Sequence, residues 1–87
     1  MKVNVTQEHI QRGKKGSCFY CPVAQALRDK AGKDTALFSV SVGSDGIGYL
    51  DKSYVTPAPV RRRINYYDRT GKMKPFSFEL TKNDLIA

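Results

Sequence analysis

Two segments that open on proline and close on glycine constrain this 87-residue chain more than any other feature. The first opens at Cys21-Pro22 and runs to Gly32; the second opens at Thr56-Pro57 and runs to Gly71. Proline leaves no amide hydrogen unpaired and holds φ near the helical value, so it suits the first helical position. Glycine tolerates the left-handed turn that closes a helix. The spacing predicts a helix over residues 22–31 capped by Cys21, and another over about 57–69 capped by Thr56. Pro59 falls within the first turn of the second helix, where proline is tolerated.

Between these frames the apolar residues alternate. Residues 2–6 place Val3 and Val5 on one side, the period of a half-buried strand. Thr6 can cap a short turn over residues 7–12 that Gly13 ends. Residues 37–42 read as a strand with Phe38, Val40 and Val42 on one face. Gly43-Ser44-Asp45-Gly46 is a tight-turn signal, and residues 47–50 return as the partner strand. Residues 51–55 read as a connector. Residues 74–80 alternate again, with Phe76, Phe78 and Leu80 inward and Ser77 and Glu79 outward.

The expected fold is therefore α+β: a small antiparallel sheet with two main helices on one face, in an order that matches the ferredoxin-like βαββαβ pattern. No linker divides the chain, so residues 1–87 are expected to form one compact domain with one modest core.

Both helices are amphipathic. In the first, Val23, Ala24, Leu27 and Ala31 share a face, while Gln25, Arg28, Asp29 and Lys30 sit mostly away from it. In the second, Val60, Ile64 and Tyr67 cluster on one side; Arg61, Arg62, Asn65, Tyr66 and Arg69 spread over the opposite arc, and Arg63 borders the apolar stripe.

Charge adds direction to this pattern. Fifteen basic and eight acidic residues leave a formal net charge of +7. Residues 1–33 hold seven basic and two acidic side chains, and residues 56–74 hold six and one. Residues 34–55, between them, are net acidic. Such an excess favours acidic partners, and the second helix has the chemistry to bind one. Guanidinium groups suit phosphate, Asn65 can read a base edge and Tyr66 can stack on a base. Lys14 and Lys15, in the loop before the cysteines, would support that surface. No apolar run can span a membrane, and the first residues lack the apolar core of a signal peptide, so a cytoplasmic protein is expected.

Cys18 and Cys21 keep three readings open. A thiolate at a helix start can have a lowered pKa and redox activity. Zinc needs four ligands, and Cys18, Cys21 and His9 offer three candidates, so another chain or a carboxylate would have to complete the site. Alternatively, one cysteine packs as a small apolar residue. His9 has no Ser or Asp close by in sequence and reads as a surface or turn histidine. No carboxylate pair suggests acid–base chemistry. The expectation is a non-enzymatic chain with no cofactor.

One resemblance adds to this reading. The pattern His9-Ile10, Gly13, Ser17, Cys21-Pro22-Val23-Ala24 and Ala26-Leu27, followed by Pro59-Val60, Asp68 and Pro75-Phe76-Ser77-Phe78-Glu79-Leu80, resembles a group of short uncharacterised bacteriophage proteins. The resemblance implies a phage accessory protein in the bacterial cytoplasm and carries no activity with it. Cys21 falls inside the pattern and Cys18 outside. Together these features lead to the expectation of a small module that binds nucleic acid or a nucleoprotein complex through a basic helix. The alternative is an inhibitor or modulator docking on an acidic host protein or antiviral defence complex, and a thiol or zinc protein is a third reading.

Overall fold

Val3 and Val5 are buried along β1 (Lys2–Val5), with Lys2 and Asn4 facing out, and the strand needs a partner that alternates in the same way. That partner is β5 (Phe76–Glu79), antiparallel, with Val3 opposite Phe78 and Val5 opposite Phe76. The computed structural model describes residues 1–32 and 34–86. Helix α1 (Gln7–Arg12) starts as expected at Thr6, whose hydroxyl accepts the amide of His9.

Helix α2 (Pro22–Ala31) follows its sequence frame. Cys21 is the N-cap, its Sγ accepting the amide of Ala24 at 3.4 Å, and Gly32 leaves the helix at φ 115°. Val23, Ala24, Ala26 and Leu27 are buried; Ala26 takes the core position expected for Ala31, which is only half-buried. Leu27 is fully buried and contributes about 1.5–3 kcal/mol by leaving water.

The central part of the chain departs from expectation. Residues 37–39 form a 3₁₀ turn, with Ser39 donating to the carbonyl of Ala36, and only Val40–Val42 is strand β2. The two-residue period therefore does not reach Phe38, which points outward and is 78% exposed. β3 (Gly46–Tyr49) pairs back on β2 across the Gly43–Gly46 turn. The segment read as a connector contains β4 (Lys52–Val55), antiparallel to β3 with Tyr49 opposite Lys52. The hairpin loop is Leu50-Asp51, and Leu50 is the one described non-glycine residue at positive φ, 58°.

Helix α3 (Ala58–Thr70) starts one residue later than its frame suggests. Pro57 occupies the cap position, and Thr56 is not the cap. The Thr56 side chain is buried and its hydroxyl donates to the carbonyl of Gly43 at 2.8 Å, tying the end of β4 to the β2–β3 turn. Gly71 closes the helix at φ 73°, as expected.

The class is α+β. Among the described residues five strands form two antiparallel sheets, β1-β5 and β2-β3-β4, in place of the single sheet that the ferredoxin-like order requires. One buried cluster joins the sheets, with Val3 and Val5 from the first, Val40, Val42, Ile47 and Tyr54 from the second, Leu27 from α2, and Val60 and Ile64 from α3. Among the described residues no helix is long and apolar enough to cross a membrane.

Candidate nucleic-acid interface

Val60, Ile64 and Tyr67 anchor α3 to the core, which leaves Arg61, Arg62, Arg63, Asn65, Tyr66 and Arg69 on the exposed side. The segment leaving the helix completes the site. The hydroxyl of Thr70 donates to the carbonyl of Tyr66 at 2.7 Å and accepts the amide of Lys72 at 3.1 Å. With Gly71 left-handed, this turns the chain sharply, and residues 72–75 lead it into β5. Arg63 spans the gap from the other side. Its guanidinium lies 4.5 Å from the centroid of the Phe76 ring, and its Nη1 donates to the carbonyl of Pro59 at 3.4 Å.

A groove of about 610 Å³ results, lined by Arg62, Arg63, Tyr66, Lys72, Met73 and Lys74. Four of its six lining residues are cations and none is acidic. The groove surface itself is mostly apolar, formed by the side-chain stems of these cations together with Tyr66 and Met73, so negative charge is its complement at the charged ends. Among the described residues, no cation of α3 or of the segment after it makes an ion pair. Asp68, the one acid on α3, is engaged elsewhere: its Oδ1 accepts the amide of Gly16 at 3.0 Å.

That bond also places the basic loop. Lys15 brings its stem to the C-terminal end of α3 beside Gly71, where the helix dipole favours a cation. Lys14 lies over the ring of Tyr20, 5.6 Å from its centroid. Of the residues singled out in the sequence, Arg62 and Tyr66 line the groove. Arg61, Asn65 and Arg69 are exposed on the helix but do not line it. Arg63, which the sequence places on the basic helix at the border of its apolar stripe and outside the contact set, lines the groove, and Lys72, Met73 and Lys74 are site residues that sequence reasoning does not find. The usable signal is Gly71: a helix-closing left-handed turn, followed within five residues by a strand, brings Lys72-Met73-Lys74 close to the helix it has just left.

The cysteines lie in a different place. Cys18 is exposed and Cys21 buried, both are free thiols, and both line a cavity of about 200 Å³ with Asp68. Burial pushes the Cys21 thiol up, against the smaller opposing pull of the Ala24 and Val23 amides. The expected lowering by the helix start is thus outweighed by desolvation, and Cys21 is a protonated thiol at neutral pH. Among the described residues no three His, Cys, Asp or Glu side chains converge to hold a metal.

His9 is not a surface histidine. It is 9% exposed. The amide of Thr6 donates to Nδ1 at 3.0 Å, which puts the ring proton on Nε2, facing Asp29 Oδ2 at 2.7 Å; Arg12 donates to the same oxygen at 2.9 Å. Thr6, His9 and Asp29 are aligned like a hydrolytic triad, with Thr6 Oγ1 3.1 Å from Nδ1. The lone pair of Nδ1 is nevertheless taken by the Thr6 amide, so it cannot act as base to the Thr6 hydroxyl. The arrangement caps α1 and clamps it to α2.

No family profile, curated protein or solved structure matches the chain.

Proposed function

We propose that the protein is a non-enzymatic module that binds nucleic acid through the cationic face of α3 and the groove beside it. The observation that carries this reading is a groove of four cations with no carboxylate in its lining and with Tyr66 on its wall. Phosphates are the complementary ligand for that field, and a tyrosine supplies the stacking surface bases require. Arg61, Asn65 and Arg69 extend the contact along the helix and Lys15 extends it at the helix end, with Lys14 as a more distant support. The cytoplasm of a bacterial host, which the resemblance to short phage proteins implies, is the setting that goes with this reading.

The test is the double variant Arg62→Ala/Arg69→Ala against wild type in salt-titrated binding to short oligonucleotides. Removing two phosphate contacts flattens the log–log salt slope by about 1.5 and weakens binding. An unchanged affinity and slope would exclude this surface as the binding face.

A second reading, docking on a host protein, rests on Phe38. This ring is 78% exposed and meets Phe19 edge-on at 5.2 Å. Aromatic anchors of this kind dominate protein interfaces. A host protein retained after nuclease treatment by wild type and by Arg62→Ala/Arg69→Ala, but lost from Phe38→Ser, would favour it. Retention that ignores Phe38 would not.

A further inference from the structure

A cationic surface alone does not distinguish a duplex from a single strand, but the shape of this one does. The binding residues are divided between two walls: Arg62, Arg63 and Tyr66 from α3, and Lys72, Met73 and Lys74 from the segment leading into β5. The groove between them is open to solvent, with a volume within the range of small-molecule clefts, about 300–1,000 Å³, room enough for one base. Its chemistry is layered. Tyr66 and Met73 offer a polarisable surface, and Arg63, its guanidinium held against the Phe76 ring by a cation–π contact, adds a planar cation beside them. The remaining cations, Arg62, Lys72 and Lys74, provide the charge around these surfaces.

Duplex nucleic acid keeps its bases stacked inside and presents a convex ridge of phosphates. Against a concave groove it could reach only the outer cations and would leave Tyr66 and Met73 unused. A single strand can turn one base out of its stack, lay it on an aromatic or guanidinium face and leave its flanking phosphates at the cations. Tyr66 is 48% exposed, accessible to a ring laid against it while still supported by its helix.

Resting on the nucleic-acid reading, we infer that the groove is a base-stacking subsite for single-stranded nucleic acid, with Tyr66 and Met73 against the base and Arg62, Lys72 and Lys74 on its flanking phosphates.

The experiment measures anisotropy of fluorescein-labelled ten-residue oligothymidylate, the same-length oligouridylate, an abasic strand of equal phosphate count, and a hairpin duplex, all at one salt concentration. The thymidylate or uridylate strand should bind roughly 5- to 100-fold more tightly than the abasic strand, the range of one lost stacking contact. Comparing the two base-bearing strands separates DNA from RNA as the source. Tyr66→Ala should erase the advantage over the abasic strand and Tyr66→Phe should keep it, with circular dichroism checking that both variants are folded. Equal binding of base-bearing and abasic strands, or tighter binding of the hairpin, would overturn the subsite and leave the cationic surface standing. Absence of binding to all four would overturn both.

Discussion

Gly13 shows how a residue can be read correctly in the sequence for an incomplete reason. The sequence marks it as the end of α1, and it does follow that helix, at an ordinary φ of −70°. What requires glycine there is space: a Cβ would sit 2.7 Å from the ring carbons of Pro22. Pro22 is fully buried, and its closed ring cannot swing aside. Gly13→Ala should therefore cost about 1–3 kcal/mol, read as a drop of roughly 4–8 °C in Tm for each kcal/mol lost. An unchanged Tm would show that the contact relaxes freely. Cys18 and Cys21 make a second test at this scale. With Cys21 buried and its thiol pKa raised, one thiol per chain should react rapidly with a disulfide reagent at pH 8 and the other only on unfolding. Two equally fast thiols would restore the redox reading. Asp29 gives the pH dependence. Partial burial raises its carboxyl, but the hydrogen bonds from His9 and Arg12 and the charge of Arg12 outweigh that and leave it below the ordinary carboxylate range. A carboxyl lowered on folding stabilises fully above its unfolded value, about 3.9, and loses that contribution as pH falls through its folded value. Asp29→Asn should be less stable than wild type at pH 7, and the gap should close as the pH drops below about 4. A gap that widened in acid would contradict the network. None of these spatial partners is legible in the sequence, because His9 and Asp29 stand 20 positions apart on different helices.

At the scale of elements, the helices are legible and the middle strands only partly so. Proline and glycine act locally: Pro22, Gly32 and Gly71 set their helix ends through their own backbone geometry, whatever the tertiary context. Thr56 misleads because a hydroxyl before a proline also suits a buried bond to a distant carbonyl, here that of Gly43. Strand β4 escapes notice because its turn carries no glycine or asparagine. Leu50 takes a positive φ that leucine rarely adopts, and the alternation of Tyr54 inward with Val55 outward comes after a polar Asp51-Lys52-Ser53 run. That strain makes a prediction. Asparagine tolerates the left-handed region better than leucine, and Leu50 is 52% exposed, so little burial is lost. Leu50→Asn should raise stability by up to about 1 kcal/mol in chemical denaturation. A clear loss would mean that the Leu50 side chain contributes more than its exposure implies. The groove beside α3 belongs to this scale as well. It forms from the relation between a helix and the segment that leaves it, which is why a helix-by-helix reading finds Arg62 and Tyr66 but not Lys72 and Lys74.

For the whole molecule, the balance of charge and the arrangement of sheets lead to one claim. The α+β class follows from alternating strand and helix periods. Its division into two sheets does not, because periodicity says which face of a strand is buried and nothing about which edge it pairs. Pairing β1 with β5 brings the C-terminal strand beside the N-terminal one, and the core shared by both sheets holds α3 with its apolar residues inward and its arginines exposed. A chain of net charge +7 with four cations lining one groove is expected to bind nucleic acid with a steep dependence on salt. The most direct test is the salt dependence of binding between nuclease-treated wild-type protein and a short single-stranded oligonucleotide. Arg62, Lys72 and Lys74 in the groove, with Arg69 on the exposed helix face, make four phosphate contacts and correspond to a log–log slope of about −3 for a single strand. A slope near that value with micromolar or tighter affinity at low salt is the expected result. No binding at low salt, or binding indifferent to salt, would contradict the claim that the cationic groove is a nucleic-acid surface.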